Sequence, residues 1–358
     1  MKKKNFLWMS ALCTAMICSF TSCDDDDDPK PNPETETTGV YFLNSGKSNS
    51  NNATLDLYNP KTKELQTKIF AAKNGEGLGD TAQDMLVYGS KMYIVVYGSN
   101  RIQVADHSGK LINYIEPKDD SGQPRSPRSL AAYNGKIYVT LFDGHVAKID
   151  TSSIKIENLV SVGRNPEQLT VSNGKLFVCN TGGMDFPNYD KTVSVIDINS
   201  FSLVKTIEVE INPEKITVDP QGDIYVISTG NYGDIPNTLQ RINPSTYEVT
   251  KIDNLVATWM SMGANNKLYI VSAQWGQDTE FYVYDTANES LAGKFITDGT
   301  VVEKPYSISA DRINGNVYIG TSDYTNTGDM YVFSSDGKLL DKKGVSGLNP
   351  MGAYFIIE

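Results

Sequence analysis

Histidine and cysteine are scarce in this chain, and each shortage closes off chemistry. Two histidines, His107 and His145, stand among 358 residues. A zinc centre built on several histidines is therefore excluded, and a Ser-His-Asp triad has little to draw on. Four cysteines are present, but Cys13, Cys18 and Cys23 fall in the leading segment. Cys179 alone remains in the body of the chain, so neither an internal disulfide nor a cysteine-based metal cluster is available there. Long apolar runs are missing too. The stretch from Phe6 to Phe20 is too short to span a bilayer. Positive charge is in deficit, with 32 Lys and Arg against 43 Asp and Glu for a net −11. That balance argues against nucleic acid and against electrostatic attachment to anionic lipid. The glycine-rich piece Asn74-Gly75-Glu76-Gly77-Leu78-Gly79-Asp80 is not expected to open a helix, which removes the usual phosphate cradle.

The N-terminus reads as an address. Lys2-Lys3-Lys4 precedes the apolar run, and Phe20-Thr21-Ser22-Cys23 is similar to the lipobox at which bacterial lipoproteins are cleaved and lipidated. Residues 1–22 are then a lipoprotein signal peptide. Their loss removes three lysines and no acid, taking the net charge from −11 to −14. Residues 23–38 form a tether: Asp24–Asp28 repel one another, and Pro29, Pro31 and Pro33 stiffen its middle. An acidic run directly after the cysteine resembles the export signal that sends lipoproteins of Bacteroidota to the outer face of the outer membrane. The expected location is therefore the cell surface, with a lipid on Cys23.

What the rest of the chain has in abundance is one short phrase: a turn, a polar residue, then an aliphatic–aromatic–aliphatic triplet. It recurs at Lys91-Met92-Tyr93-Ile94, Lys136-Ile137-Tyr138-Val139, Lys175-Leu176-Phe177-Val178, Asp223-Ile224-Tyr225-Val226, Lys267-Leu268-Tyr269-Ile270 and Asn316-Val317-Tyr318-Ile319. Repeats of this length made of strands and turns predict a β-propeller. Within 212–253 four strands are legible, separated by Pro220-Gln221-Gly222, by 230–237 and by Pro244-Ser245-Thr246. The beginning, 39–70, supplies second, third and fourth strands without a first. The end, Leu348 to Ile357, supplies a first strand with nothing after it. The expected fold is all-β, a seven-bladed propeller over 39–358 whose last blade is shared between the N- and C-terminal segments, which removes open edges. The triplet aromatics are expected in blade packing, and Asp106, Asp150, Asp197 and Asp285 in turn hydrogen bonding.

Loops between second and third strands share one face with the connections between blades. They carry Asn, Gly, Asp and aromatics, the mixture that binds a large amphipathic ligand with amide arms. The candidate ligand-binding residues there are Asn52, Tyr97, Arg101, Arg128, Phe142, Phe186, Tyr189, Tyr232, Trp259, Trp275, Tyr306 and Tyr324. Arg125 and Arg164 lie on the same connections, and Asp185, Asp190, Asp234 and Asp278 are carboxylates that a calcium ion would need, with turn roles preferred. His145 belongs to this face and His107 to the opposite one. No catalytic residues, no resident metal and no cofactor are expected.

Several loop phrases resemble the BtuG family, whose propeller is related to the YncE type. They are Asn180-Thr181-Gly182-Gly183, Asp190-Lys191-Thr192-Val193-Ser194-Val195-Ile196-Asp197, Gly230-Asn231-Tyr232-Gly233-Asp234, Leu43-Asn44-Ser45-Gly46 with Asn51-Asn52-Ala53-Thr54, and Gly77-Leu78-Gly79-Asp80-Thr81. The resemblance implies a surface lipoprotein of gut Bacteroidota that captures cobalamin (vitamin B12) and related corrinoids. It also implies their delivery to a TonB-dependent outer-membrane transporter of the BtuB type. The residues alone leave two other classes open: a glycan- or protein-binding surface scaffold, and a metal-dependent propeller lactonase or lyase.

Overall fold

The computed structural model describes residues 35–358, Trp275 excepted. The signal peptide, Cys23 and Asp24–Asp28 lie outside the described residues. Seven four-stranded antiparallel sheets close into a ring, a seven-bladed β-propeller. We number the blades 1 (82–115), 2 (127–161), 3 (166–208), 4 (213–252), 5 (259–294), 6 (305–344) and 7 (37–66 with 350–357). In each blade the first strand neighbours the first strands of the adjacent blades and lines the central channel.

Blade 7 closes the ring as the chain ends predict. Its innermost strand is Pro350–Ile357, paired antiparallel with Thr37–Asn44 from Thr37 opposite Ile357 to Asn44 opposite Pro350. A buried carboxylate reinforces this seam. Asp84 of blade 1 accepts hydrogen bonds from Ser129 Oγ (2.6 Å) and Leu130 N (2.8 Å) of blade 2, and from Tyr354 Oη (3.1 Å) of blade 7. Burial pushes this carboxyl up, and these three donors with a fourth, Met85 N (2.8 Å), work against that push.

The triplet aromatics are core. Tyr93, Tyr138, Phe177, Tyr225, Tyr269 and Tyr318 are buried between blades, where aliphatic neighbours from adjoining sheets surround them. One expectation fails. The segment to Phe70 does not finish as a full fourth strand: that strand is only Leu65–Gln66, and a six-residue helix, Ile69–Asn74, comes after it. Lys68 turns left-handed (φ 54°) with its N–H on Asp56, which aims Ile69 and Phe70 into the seam between blades 7 and 1. Burying two large apolar side chains outweighs two more residues of edge pairing.

The turn aspartates act as the sequence suggests. Asp106 accepts the N–H groups of Ser108 and Lys110, Asp150 those of Ser152 and Ser153, Asp197 that of Ser200, and Asp285 those of Ala287 and Asn288. Ser108, Ser200 and Asn288 hold the carboxyls of Asp106, Asp197 and Asp285 below their usual range, and the Asn326 N–H takes Asp323 to about 2. A folded pKa below the unfolded value near 3.9 means stability present at neutral pH and lost as pH falls through the folded value. Urea midpoints should therefore hold steady above about pH 5 and decline steadily from there to about pH 2. A flat midpoint over that interval would show that the turns contribute no linked stability.

Candidate functional site

The face formed by second-to-third-strand loops and interblade connections has a built-in regularity. In six blades the residue before the first strand is left-handed: Thr81, Ser126, Asn165, Asn212, Lys304 and Asn349, with φ between 46° and 62°. Proline comes next in five of them, a position where this conformation is costly. Each carbonyl then accepts the N–H that opens the same blade's second-to-third-strand loop, as in Phe142 N to Ser126 O (2.9 Å) and Thr229 N to Asn212 O (2.9 Å). Every one of these first strands carries a register shift. This repeated latch ties connection to loop and seals the top of the blade.

Blade 5 lacks it. No proline precedes its first strand, Thr258 N donates to Val271 O instead (2.8 Å), and Trp259 pairs regularly with Val271. Above this blade the face opens into a cleft of about 980 Å³. Its walls are Tyr232 and Asn237 from blade 4, Trp259, Gln274 and Gln277 from blade 5, and Tyr306 and Tyr324 from blade 6. The rings form a continuous surface: Trp259 and Tyr306 have centroids 5.7 Å apart, and Tyr306 and Tyr324 meet edge to face at 5.6 Å. On the other side Tyr232 contacts Tyr189 (6.1 Å), which contacts Phe186 (6.0 Å). Tyr232 and Tyr324 stand as the exposed rim at 72% and 68%, while burial pushes the Tyr306 phenol up to about 12.

A charged pair forms part of the wall. Lys215 is ion-paired with Glu214, and its ammonium sits 4.3 Å from the Trp259 ring centroid. Burial opposes the charge on Glu214, yet Lys215 and then Arg128 hold its carboxyl below the usual value. Glu214 and Lys215 were not singled out from sequence. Their signal was Asn212-Pro213-Glu214-Lys215, two charges just inside the start of a channel-lining strand.

The other predicted residues divide three ways. Tyr97, Phe142 and Arg128 form their own cluster over blades 1 and 2, with the guanidinium 4.8 and 4.7 Å from the two ring centroids. Arg128 is also bidentate to the half-buried Glu167 of blade 3 (3.0 and 2.6 Å), so it positions rings rather than offering a free cation. Phe142 edges a second cleft of about 740 Å³ with His145, Arg164 and Met184. Arg101 pairs with Glu116 (2.8 Å) and covers Tyr114 at 4.1 Å, and Asn52 accepts the Lys47 N–H (2.8 Å); neither lines the main cleft. Trp275 falls outside the described residues. Asp185 and Asp190 hold Arg164 at 2.7 and 2.5 Å, and Asp234 accepts from Asn231, so these three carboxylates are engaged within their own loops and connections. Among the described residues no group of three His, Cys, Asp or Glu is placed to hold a metal ion. His107 binds the Gly89 carbonyl on the opposite face from His145. Cys179 is buried, and burial pushes its thiol up.

Residues 38–264 match the family described as a domain of unknown function, DUF5074. The chain belongs to the DUF5074 family. No curated protein matches this DUF5074 chain. Solved structures share its fold at low identity. A quinonprotein alcohol dehydrogenase-like protein from Bacteroides thetaiotaomicron is 19% identical with a TM-score of 0.63, over 89% of this chain and 78% of that one. Kuenenia stuttgartiensis hydrazine synthase is 15% identical with a TM-score of 0.60, over 76% of this chain and 88% of that one. Streptogramin B lyase is 13% identical with a TM-score of 0.56, over 79% and 90%. Enzymes thus occur on this scaffold, and at such identities the likeness concerns the fold alone.

Proposed function

We propose that this DUF5074 protein is a non-catalytic capture protein of the outer cell surface, anchored by a lipid on Cys23. Its ligand is cobalamin or a related corrinoid, which it passes to a TonB-dependent transporter of the BtuB type. The observation that carries the reading is the aromatic cleft of about 980 Å³ over blades 4 to 6. Flat rings there offer apolar contact to a large planar ligand, and Asn237, Gln274 and Gln277 offer amides to amide arms. The loop phrases shared with the BtuG family favour the same ligand.

Placement of the tether is compatible with delivery. Thr37 opens the second strand of blade 7 and so enters on the face opposite the cleft. Fourteen residues, 23–36, can span at most about 50 Å, a length that would let the cleft face turn toward a membrane partner.

Titration of the chain from Thr35 onward with cyanocobalamin, followed by desalting, tests the proposal. Stoichiometric retention of the red corrinoid is the expected result. Complete loss of colour on desalting would remove tight corrinoid capture. Binding of a polysaccharide in its place would then select a glycan scaffold, for which exposed Tyr232 and Tyr324 are also suited.

A further inference from the structure

The channel has a second mouth on the opposite face, and its chemistry differs from that of the cleft. A cavity of about 430 Å³ opens there among the ends of the first strands. Its apolar wall includes Ile216, Met260, Met262 and Phe355. This volume lies within the usual range for small-molecule sites, roughly 300–1,000 Å³.

The polar groups on that wall are donors. Gln168 Oε1 accepts the Ile216 N–H (3.1 Å), which leaves its amide hydrogens turned outward. Ser261 Oγ accepts Ala310 N and Ser309 Oγ accepts Ala353 N, each at 2.9 Å, so both hydroxyl hydrogens remain to be given. Arg312, in the turn after the first strand of blade 6, reaches across the mouth. Its Nε donates to Met262 O (3.2 Å) and its Nη2 points toward Val218 O (3.5 Å). It forms no ion pair among the described residues, although the chain carries an excess of acid. Among the described residues no carboxylate lines the cavity. Asp84, behind Tyr354, is already engaged by its donors, and the buried Asp311 caps its own turn through Ile313 N (2.8 Å) with Oδ1 while its Oδ2 has no partner among the described residues. Arg312 retains solvent access, yet the surrounding protein pushes its pKa down with no acid to offset it.

We infer that this mouth is a second binding site, for a monocarboxylate with an apolar body such as an aliphatic acid. The carboxylate bridges the Arg312 guanidinium, which matches it in a bidentate geometry, and the hydrocarbon enters the channel over Met260, Met262 and Phe355. The site lies on the face away from the aromatic cleft and does not rest on the corrinoid reading.

Decanoate titrated calorimetrically into the chain from Thr35 onward, with 1-decanol as the uncharged probe, decides the matter. Saturable one-to-one binding of decanoate below about 1 mM is expected. Arg312→Gln should weaken it about tenfold or more, because a charge-assisted contact is lost. Met260→Trp, which fills the channel, should weaken it comparably, and Arg312→Gln should retain cyanocobalamin as the parent does. Absence of saturable binding, equal affinity for decanol, or an unchanged affinity in Arg312→Gln would each overturn the site. Dependence on Arg312 without dependence on Met260→Trp would place the acid on the surface and overturn the channel assignment.

Discussion

A chain ending at Gly347 should not fold cooperatively. Deleting 348–358 removes the innermost strand of blade 7, which pairs along the whole of Thr37–Asn44. Val40, Tyr41, Phe42 and Leu43 are fully buried, and the deletion gives their strand an open edge beside a gap in the ring. Ala353, Phe355 and Ile356, which pack against blades 6, 7 and 1, are lost as well. Tyr354 goes with them, so Asp84 loses one of its donors. Burial of each large apolar side chain is worth roughly 1.5–3 kcal/mol, so several such losses rival the total stability of a domain, about 5–15 kcal/mol. The exposed run Val40-Tyr41-Phe42-Leu43 is moreover a template for aggregation. Insoluble protein, or soluble protein without a thermal transition, is the expected outcome. A single sharp transition close to that of the full chain would show that six blades and a fragment suffice, and that closure adds little.

The fold was legible because its signal repeats. Each triplet marks a buried second strand, and the turn residues just before it recur with it, so errors in one copy are corrected by the next. The helix at Ile69–Asn74 was missed because it occurs once and depends on the packing of Phe70 at the seam, a tertiary effect. The site was legible as a face but not as a geometry. Which loops converge depends on the lateral placement of blades, and that is set by contacts far apart in sequence. Arg128 illustrates the limit: its partner Glu167 is 39 residues away in the next blade, and nothing local to either marks the pair. Blade 5, by contrast, could have been picked out. Pro127, Pro166, Pro213, Pro305 and Pro350 open the first strands of their blades, and Trp259 stands where blade 5 has no proline. The missing proline alone does not mark the blade, since blade 1 opens on Ala82 and keeps the carbonyl latch; the bulky Trp259 in that place is the departure peculiar to blade 5.

That departure also explains why one aromatic should dominate binding. Trp259→Ala is expected to raise the dissociation constant for cyanocobalamin about 30-fold or more, the usual cost of truncating a central aromatic anchor. Trp259 is partly buried between Lys215 and Tyr306, so its ring is held in place before the ligand arrives and loses little freedom on binding. Tyr306→Ala should act in the same direction, since it removes the support of both Trp259 and Tyr324. Tyr324→Ala should cost less, because its ring is a solvated rim element. Phe142→Ala separates the two aromatic clusters. It empties the surface over blade 2 while leaving blades 4 to 6 intact, and so should leave the affinity nearly unchanged. Thermal midpoints of all four variants, read beside the titrations, distinguish lost contact from lost fold. If Phe142→Ala abolished retention while a folded Trp259→Ala bound like the parent, the ligand would belong over blades 2 and 3, and the cleft over blades 4 to 6 would need another purpose.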